Sequence, residues 1–104
     1  PGFDIVAPTG TPVAATAAGH VIYAGWKSGW GRCVEIEHGA GIRTFYAHCR
    51  TLKVSSGENV LRGDVIATVG NSGRSTGTHL HYAVLKGGSW TSPDNYVLTQ
   101  LSAN

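Results

Sequence analysis

The fold is most constrained by how often the sequence interrupts itself. Short segments of strand character, Pro12–Ala15, His20–Trp26, Cys33–His38, Ile42–His48, Val65–Val69 and His79–Leu85, alternate with turn-forming runs. The turns are Gly10-Thr11-Pro12, Ser28-Gly29, Gly39-Ala40-Gly41, Ser56-Gly57, Asn71-Ser72-Gly73 and Gly87-Gly88. With 15 glycines in 104 residues, no apolar 3.6-residue period runs long enough for a sizeable helix. Regularly spaced short strands with no helix between them predict an all-β sandwich or partly open barrel. A chain of this length supports one core, so residues 1–104 are expected to form a single domain. A helical turn is expected in the tail, over Pro93–Leu98.

A faint internal echo supports the same architecture. Gly10-Thr11-Pro12-Val13 followed by Gly19-His20-Val21-Ile22 resembles Gly57-Glu58-Asn59-Val60 followed by Gly63-Asp64-Val65-Ile66. Each reads as a turn, a buried valine and a strand opened by glycine. The pattern is typical of barrel-sandwich domains that carry lipoyl or biotinyl groups. Those display a lysine at a hairpin tip, and no lysine here has that setting.

Composition narrows the function. The formal net charge is +2, and the eight cations from Lys27 to Lys86 are scattered, which argues against a nucleic-acid partner. A weak attraction to an anionic polymer such as a cell wall is compatible with this charge. No apolar run reaches the length of a membrane span, and no signal peptide is visible. Cys33 and Cys49 could form one disulfide in an oxidising compartment. A hairpin turning at His38-Gly39-Ala40-Gly41 sets Cys33 nearer Phe45 or Tyr46 than Cys49, which weighs against the bridge.

The chemistry-bearing stretch is Thr78-His79-Leu80-His81-Tyr82. Leu80, Tyr82 and Val84 share one strand parity, and His79, His81 and Ala83 the other. Two imidazoles therefore point the same way, roughly 6.5–7 Å apart along the strand. One can ligate a metal while the other reaches a water bound to it. An isolated H-x-H is equally compatible with two half-exposed strand histidines, so its company matters. Asp4 precedes the apolar Ile5-Val6-Ala7, where a turn aspartate is the ordinary reading. His48 ends the segment that begins at Ile42, where a side chain can project into a cleft. Together, Asp4, His48, His79 and His81 suit metal-assisted amide hydrolysis, in which a catalytic zinc takes three protein ligands and one open position. The types alone do not say which of the four bind metal. His38 sits at a tight turn and is expected to be structural, and His20 is expected at the surface. Gly70–Gly77 is glycine-rich but lacks a Gly-Lys-Ser/Thr ending and precedes a strand. It reads as a flexible groove wall rather than a phosphate cradle.

These motifs resemble a family. Gly2-x-Asp4, Pro8-Thr9-Gly10-Thr11-Pro12-Val13, His38-Gly39-x-Gly41, Tyr46-Ala47-His48, Gly57-x-x-Val60, Gly63 and Gly73-x-Ser75-Thr76-Gly77-x-His79-Leu80-His81 recur, in order, in the lysostaphin/LytM-type zinc endopeptidases of peptidoglycan. The resemblance runs from Gly2 to about Tyr96. It implies a mostly antiparallel β-sheet domain with a groove walled by loops, here near Trp26–Arg32, Arg50–Ser56, Asn71–Thr78 and Lys86–Ser92. Trp30, Tyr46 and Trp90 are candidates to line it, although isolated aromatics more often serve packing. It further implies zinc held by Asp4 and His81, with His48 and His79 as catalytic histidines. Peptidoglycan is the implied partner, outside the cytoplasm of a bacterium, and a monomer is expected.

Two departures stand out. The first ligand of the family's H-x-x-x-D would precede Pro1, so the chain is expected to be a fragment trimmed at its N-terminus and to hold zinc weakly. Ala83 replaces a residue that is often acidic in the family. Some relatives have lost zinc ligands and instead activate a cell-wall amidase, which gives the alternative reading. A third reading, a β-domain that binds wall polymer without catalysis, leaves Asp4 and the three histidines without a shared role.

Overall fold

The computed structural model describes residues 2–75 and 77–91. The tail expected to hold a helical turn lies outside the described residues, as does Ser92. Nine strands run β1 Phe3–Val6, β2 Pro12–Ala14, β3 Gly19–Lys27, β4 Gly31–Gly39, β5 Ile42–Leu52, β6 Asn59–Val60, β7 Val65–Val69, β8 His79–Lys86 and β9 Ser89–Thr91. All pairings are antiparallel, in the order β1-β8-β5-β4-β3-β6, with β7 joining β2 to β5 and β9 lying on β8. The sheet does not close on itself, which is the all-β, partly open architecture expected.

The segments predicted from alternation all appear, most of them a residue or more longer. β1, β6 and β9 were not expected as strands. Each has four residues or fewer, too short to show a period, and owes its conformation to the longer strand beside it. The internal echo acquires a meaning in the pairing. Its two halves cross over: β2 pairs with β7 and β6 with β3. Val13 and Val60, the echoed valines, are both buried at 5% exposure.

β5 is the element that positions the site. Ile42–Ala47 lies between β4 and β8, whereas Cys49–Leu52 pairs with β7. The strand makes that change at His48, which adopts φ 63°. A side chain in the left-handed region costs about 1–3 kcal/mol, and such outliers concentrate where geometry serves function. Opposite it, β4 shows a register irregularity between Arg32 and Val34, so the kink is a β-bulge.

The sheet has two differently built faces. One carries the main core, including Val21, Val34, Ile36, Tyr46, Ile66, Leu80, Tyr82 and Val84. Tyr46 and Tyr82 are buried there because Thr16 and Thr44 satisfy their hydroxyls: Tyr46 Oη lies 3.0 Å from Thr16 Oγ1 and 2.9 Å from Thr44 Oγ1, and Tyr82 Oη 3.2 Å from Thr16 Oγ1. Tyr46, expected as a candidate groove residue, is therefore a core residue at 1% exposure. The other face has a small floor of Cys33, Phe45, Ala47 and Ala83, against which Trp30 and Tyr23 pack. Cys33 belongs to this floor and Cys49 to the main core. The two thiols are free, separated by the sheet itself. Burial pushes Cys33 up to about 11 and Cys49 up to about 12, so neither is a reactive thiolate near neutral pH.

Candidate active site

On the small-floored face, β1 and β8 pair in a register that sets Asp4 opposite His81 and Val6 opposite His79. The parity read from the sequence holds: Leu80, Tyr82 and Val84 enter the core, and His79 and His81 share the other face. Asp4 Oδ1 lies 3.0 Å from His81 Nδ1 and 3.5 Å from His79 Nε2. β5 delivers His48, whose ring centre is 5.0 Å from that of His79 and 6.3 Å from that of His81. All four candidate residues are thus brought together. His38 and His20 stand apart, as expected. His38 bonds Ala18 O and Thr44 Oγ1, and His20 bonds Asn59 Oδ1.

Hydrogen bonding divides the three clustered histidines into two kinds. His48 Nδ1 is 2.7 Å from Ser72 O, and His79 Nδ1 is 2.8 Å from Gly77 O. A carbonyl oxygen only accepts, so each Nδ1 carries the proton and each Nε2 keeps a lone pair. Ser75 Oγ, 3.2 Å from His79 Nδ1, also bonds Gly77 O and braces the same corner. His81 differs, since its Nδ1 faces a carboxylate. Its Nε2 is buried and has no hydrogen-bond partner among the described residues. An orphaned buried nitrogen costs about 1–3 kcal/mol. Gly2 lies over that ring edge: a Cβ there would come 2.9 Å from Ala83 Cβ and 3.1 Å from His81 Nε2. Ala83, beside that ring, offers no side-chain acceptor. The His81 hydrogen bond holds the Asp4 carboxyl below the usual carboxylate range.

The loop after β7 was expected to be flexible, but through Ser72–Arg74 it is bolted in place. Arg32 N donates to Ser72 Oγ at 3.1 Å, Ser72 Oγ donates to Cys49 O at 2.5 Å, and Arg74 N donates to Gly29 O at 2.9 Å. His48 N donates to Trp30 O at 2.9 Å from the other side. Gly31 and Gly73 touch so closely that a Cβ on Gly73 would sit 2.3 Å from Gly31 N. Both have positive φ, so glycine is required twice over. Ser72 was not singled out from the sequence. Its contribution is a backbone carbonyl, which no side-chain pattern announces.

Of the expected walls, Trp26–Arg32 and Asn71–Thr78 flank the histidines through these contacts. Arg50–Ser56 instead binds β7 through Thr51 and Leu52 and β3 through Ser56. Within Lys86–Ser92, Ser89–Thr91 forms β9 rather than a loop. Trp30 lies over the site as anticipated, its ring centre 4.7 Å from that of His81 and 5.8 Å from that of His48. Trp90, with Trp30, Phe45, Leu85, Lys27 and Glu35, lines a cavity of about 160 Å³ next to it.

The donor chemistry fits a metal in part. Two ligands of one tetrahedral zinc, at bond lengths of about 2.0–2.1 Å, stand roughly 3.3 Å apart. Asp4 Oδ1 and His81 Nδ1 converge at near that separation. Among the described residues, however, no group of three His, Cys, Asp or Glu side chains forms a complete site.

The profile of Peptidase family M23 matches residues 1–93. The chain is 44% identical over 97 residues to the DD-carboxypeptidase/endopeptidase Mpg of Neisseria meningitidis, covering 93% of this chain and 22% of that protein. It is 36% identical over 96 residues to the murein hydrolase activator EnvC of Escherichia coli, covering 92% and 23%. Among solved structures, the catalytic domain of lysostaphin from Staphylococcus simulans superposes with a TM-score of 0.85 at 30% identity, over 91% of this chain and 76% of that one. The chain spans under a quarter of the length of these two curated relatives.

Proposed function

The chain belongs to peptidase family M23, and we propose that it is a zinc-dependent endopeptidase acting on peptide cross-links or stem peptides of bacterial peptidoglycan, outside the cytoplasm. The observation that carries this reading is the shared tautomer of His48 and His79. Both rings have Nδ1–H tied to a backbone carbonyl and Nε2 left as a base, beside an Asp4–His81 pair.

Asp4 Oδ1 and His81 Nδ1 would hold the metal. The chemistry that zinc would supply there is Lewis acidity toward the scissile carbonyl and toward water. His79, whose Nε2 is nearer the Asp4 carboxylate, accepts the proton of the attacking water and later returns it to the leaving amine. The carbonyl at its Nδ1 stabilises the imidazolium formed in between. His48 steadies the oxyanion of the tetrahedral intermediate only as the imidazolium, which donates an Nε2–H that the neutral tautomer lacks. Trp30 shields the histidines from bulk water on one flank, which strengthens each of these electrostatic contacts.

The test is zinc content and release of cross-linked peptides from cell walls, for the chain as it stands and with a histidine added before Pro1. The added residue recreates H-x-x-x-D, so zinc affinity is expected to rise sharply and activity with it. Equal affinity in both forms would count against the ligand assignment. A second reading is favoured by the likeness to the murein hydrolase activator EnvC: a non-catalytic domain that activates a cell-wall amidase. A folded, extended chain that binds no zinc and cleaves nothing selects that reading.

A further inference from the structure

We propose that the rim around Trp26 is a binding site for a carboxylated amino-sugar ring, separate from the histidine cluster. Trp26 is the penultimate residue of β3 and is 57% exposed. Leaving an indole in water forgoes burial worth about 25 cal/mol per Å², and an isolated strand end gives no reason for it. Trp26 borders two concavities, of about 570 Å³ and 320 Å³. The larger falls within the roughly 300–1,000 Å³ of small-ligand sites. Arg32 and Arg50 line it, and Arg74 lines the smaller one.

The cations at this rim differ from the neighbouring Lys27 and Arg43. Lys27 and Arg43 are neutralised by Glu35 and Glu37. Arg32, Arg50 and Arg74 pair with no carboxylate among the described residues, and no acidic side chain lines either concavity. The Arg32 guanidinium is 5.8 Å from the Trp26 ring centre, so an anion bound by it lies beside the indole face.

A flat apolar face, unpaired guanidinium forks and the hydroxyls of Thr51 and Ser28 form one recognition set. The C–H face of a pyranose stacks on an indole. A carboxylate accepts paired hydrogen bonds from arginine, and sugar hydroxyls and acetamido groups meet small polar side chains. Single-stranded nucleic acid would also use stacking and cations, but it tracks a series of aromatics along a continuous basic groove. Here a single exposed indole stands among three arginines. Arg32 lies two residues from Trp30 and Arg50 two from His48, so a sugar held here would sit behind the loops that clamp the catalytic face. The inference uses neither zinc nor the histidines, and it stands if the chain proves not to be a hydrolase.

The experiment is a titration of zinc-free, ¹⁵N-labelled protein with the peptide-free disaccharide N-acetylglucosaminyl-N-acetylmuramic acid. The indole signals are assigned with Trp26→Phe and Trp90→Phe. The expected result is a saturable shift of the Trp26 indole, with a Kd on the order of 1 mM. Trp26→Ala should weaken binding more than about tenfold, and Arg32→Ala or Arg50→Ala about three- to tenfold. Both arginine variants should leave the weaker binding of neutral diacetylchitobiose unchanged. A Trp26 indole that does not move at about ten times that concentration, chitobiose binding as tightly as the acid, or a hexathymidylate binding more tightly than either would overturn the proposal. Signal dispersion in each variant separates loss of the site from loss of the fold.

Discussion

The clustered residues form two regions only a few ångströms apart and built on opposite principles. His48 and His79 hang from backbone carbonyls of the 72–77 loop, one buried at 5% exposure and both with a fixed tautomer. Asp4 and His81 meet across a sheet edge, with the carboxylate side chain 66% exposed and one imidazole nitrogen without a partner among the described residues. On the proposed assignment the difference has a reason: proton transfer tolerates little error in where a lone pair points, so its groups would be locked in advance, whereas a metal draws its ligands in as it binds, so its side could stay open until then.

The contrast breaks first at His81. His81→Ala should abolish both zinc retention and wall cleavage, read by metal analysis and by release of peptides. His48→Gln and His79→Gln should lower turnover by about 10²–10⁴-fold while leaving zinc content unchanged. Loss of metal in either variant would mean that the division between the two regions is wrong. Ser72→Ala keeps the carbonyl that holds His48 but removes the hydroxyl that pins it between Arg32 and Cys49. Turnover should fall about tenfold, Ser72→Thr should restore it, and the ¹⁵N shifts of the His48 ring should show mixed tautomers only in the alanine variant. The smallest effect concerns acid. The folded Asp4 carboxyl titrates below its unfolded value near 3.9, held there by His81. Its stabilising contribution is therefore present above that pH and is lost as pH falls through the folded value. Melting curves without metal should show native protein and Asp4→Asn converging below about pH 4.

In each region the residue on the His79–His81 strand was more legible in the sequence than its partner. A period of two across Thr78–Leu85 is enough to put His79 and His81 on one face, and glycine spacing is enough to divide the strands. Asp4 was identified as a residue, but β1 was not, because four residues show no period until β8 lies beside them. The support of His48 was hidden for a different reason. A left-handed φ on a histidine and a carbonyl lent by Ser72 are backbone events, set by long-range packing of Gly31 on Gly73. Of the candidate groove aromatics, Tyr46 follows the packing reading: strand parity turns it to the core, where Thr16 and Thr44 satisfy its hydroxyl.

The pairing of β1 with β8 has a kinetic consequence. Asp4 and His81 are 77 positions apart, and the crossed pairing of β2 with β7 and β6 with β3 ties the intervening chain into non-local contacts. Loop-closure entropy makes such topologies slow, on the order of milliseconds to seconds. Neither half of the echo can finish its pairing alone, and an edge strand of four residues has little to hold it until β8 is in place. The carboxylate should therefore reach the imidazole among the last events of folding. A chain that has not finished folding would carry its histidines but not the Asp4–His81 pair, and any chemistry that depends on that pair would wait until the two came together.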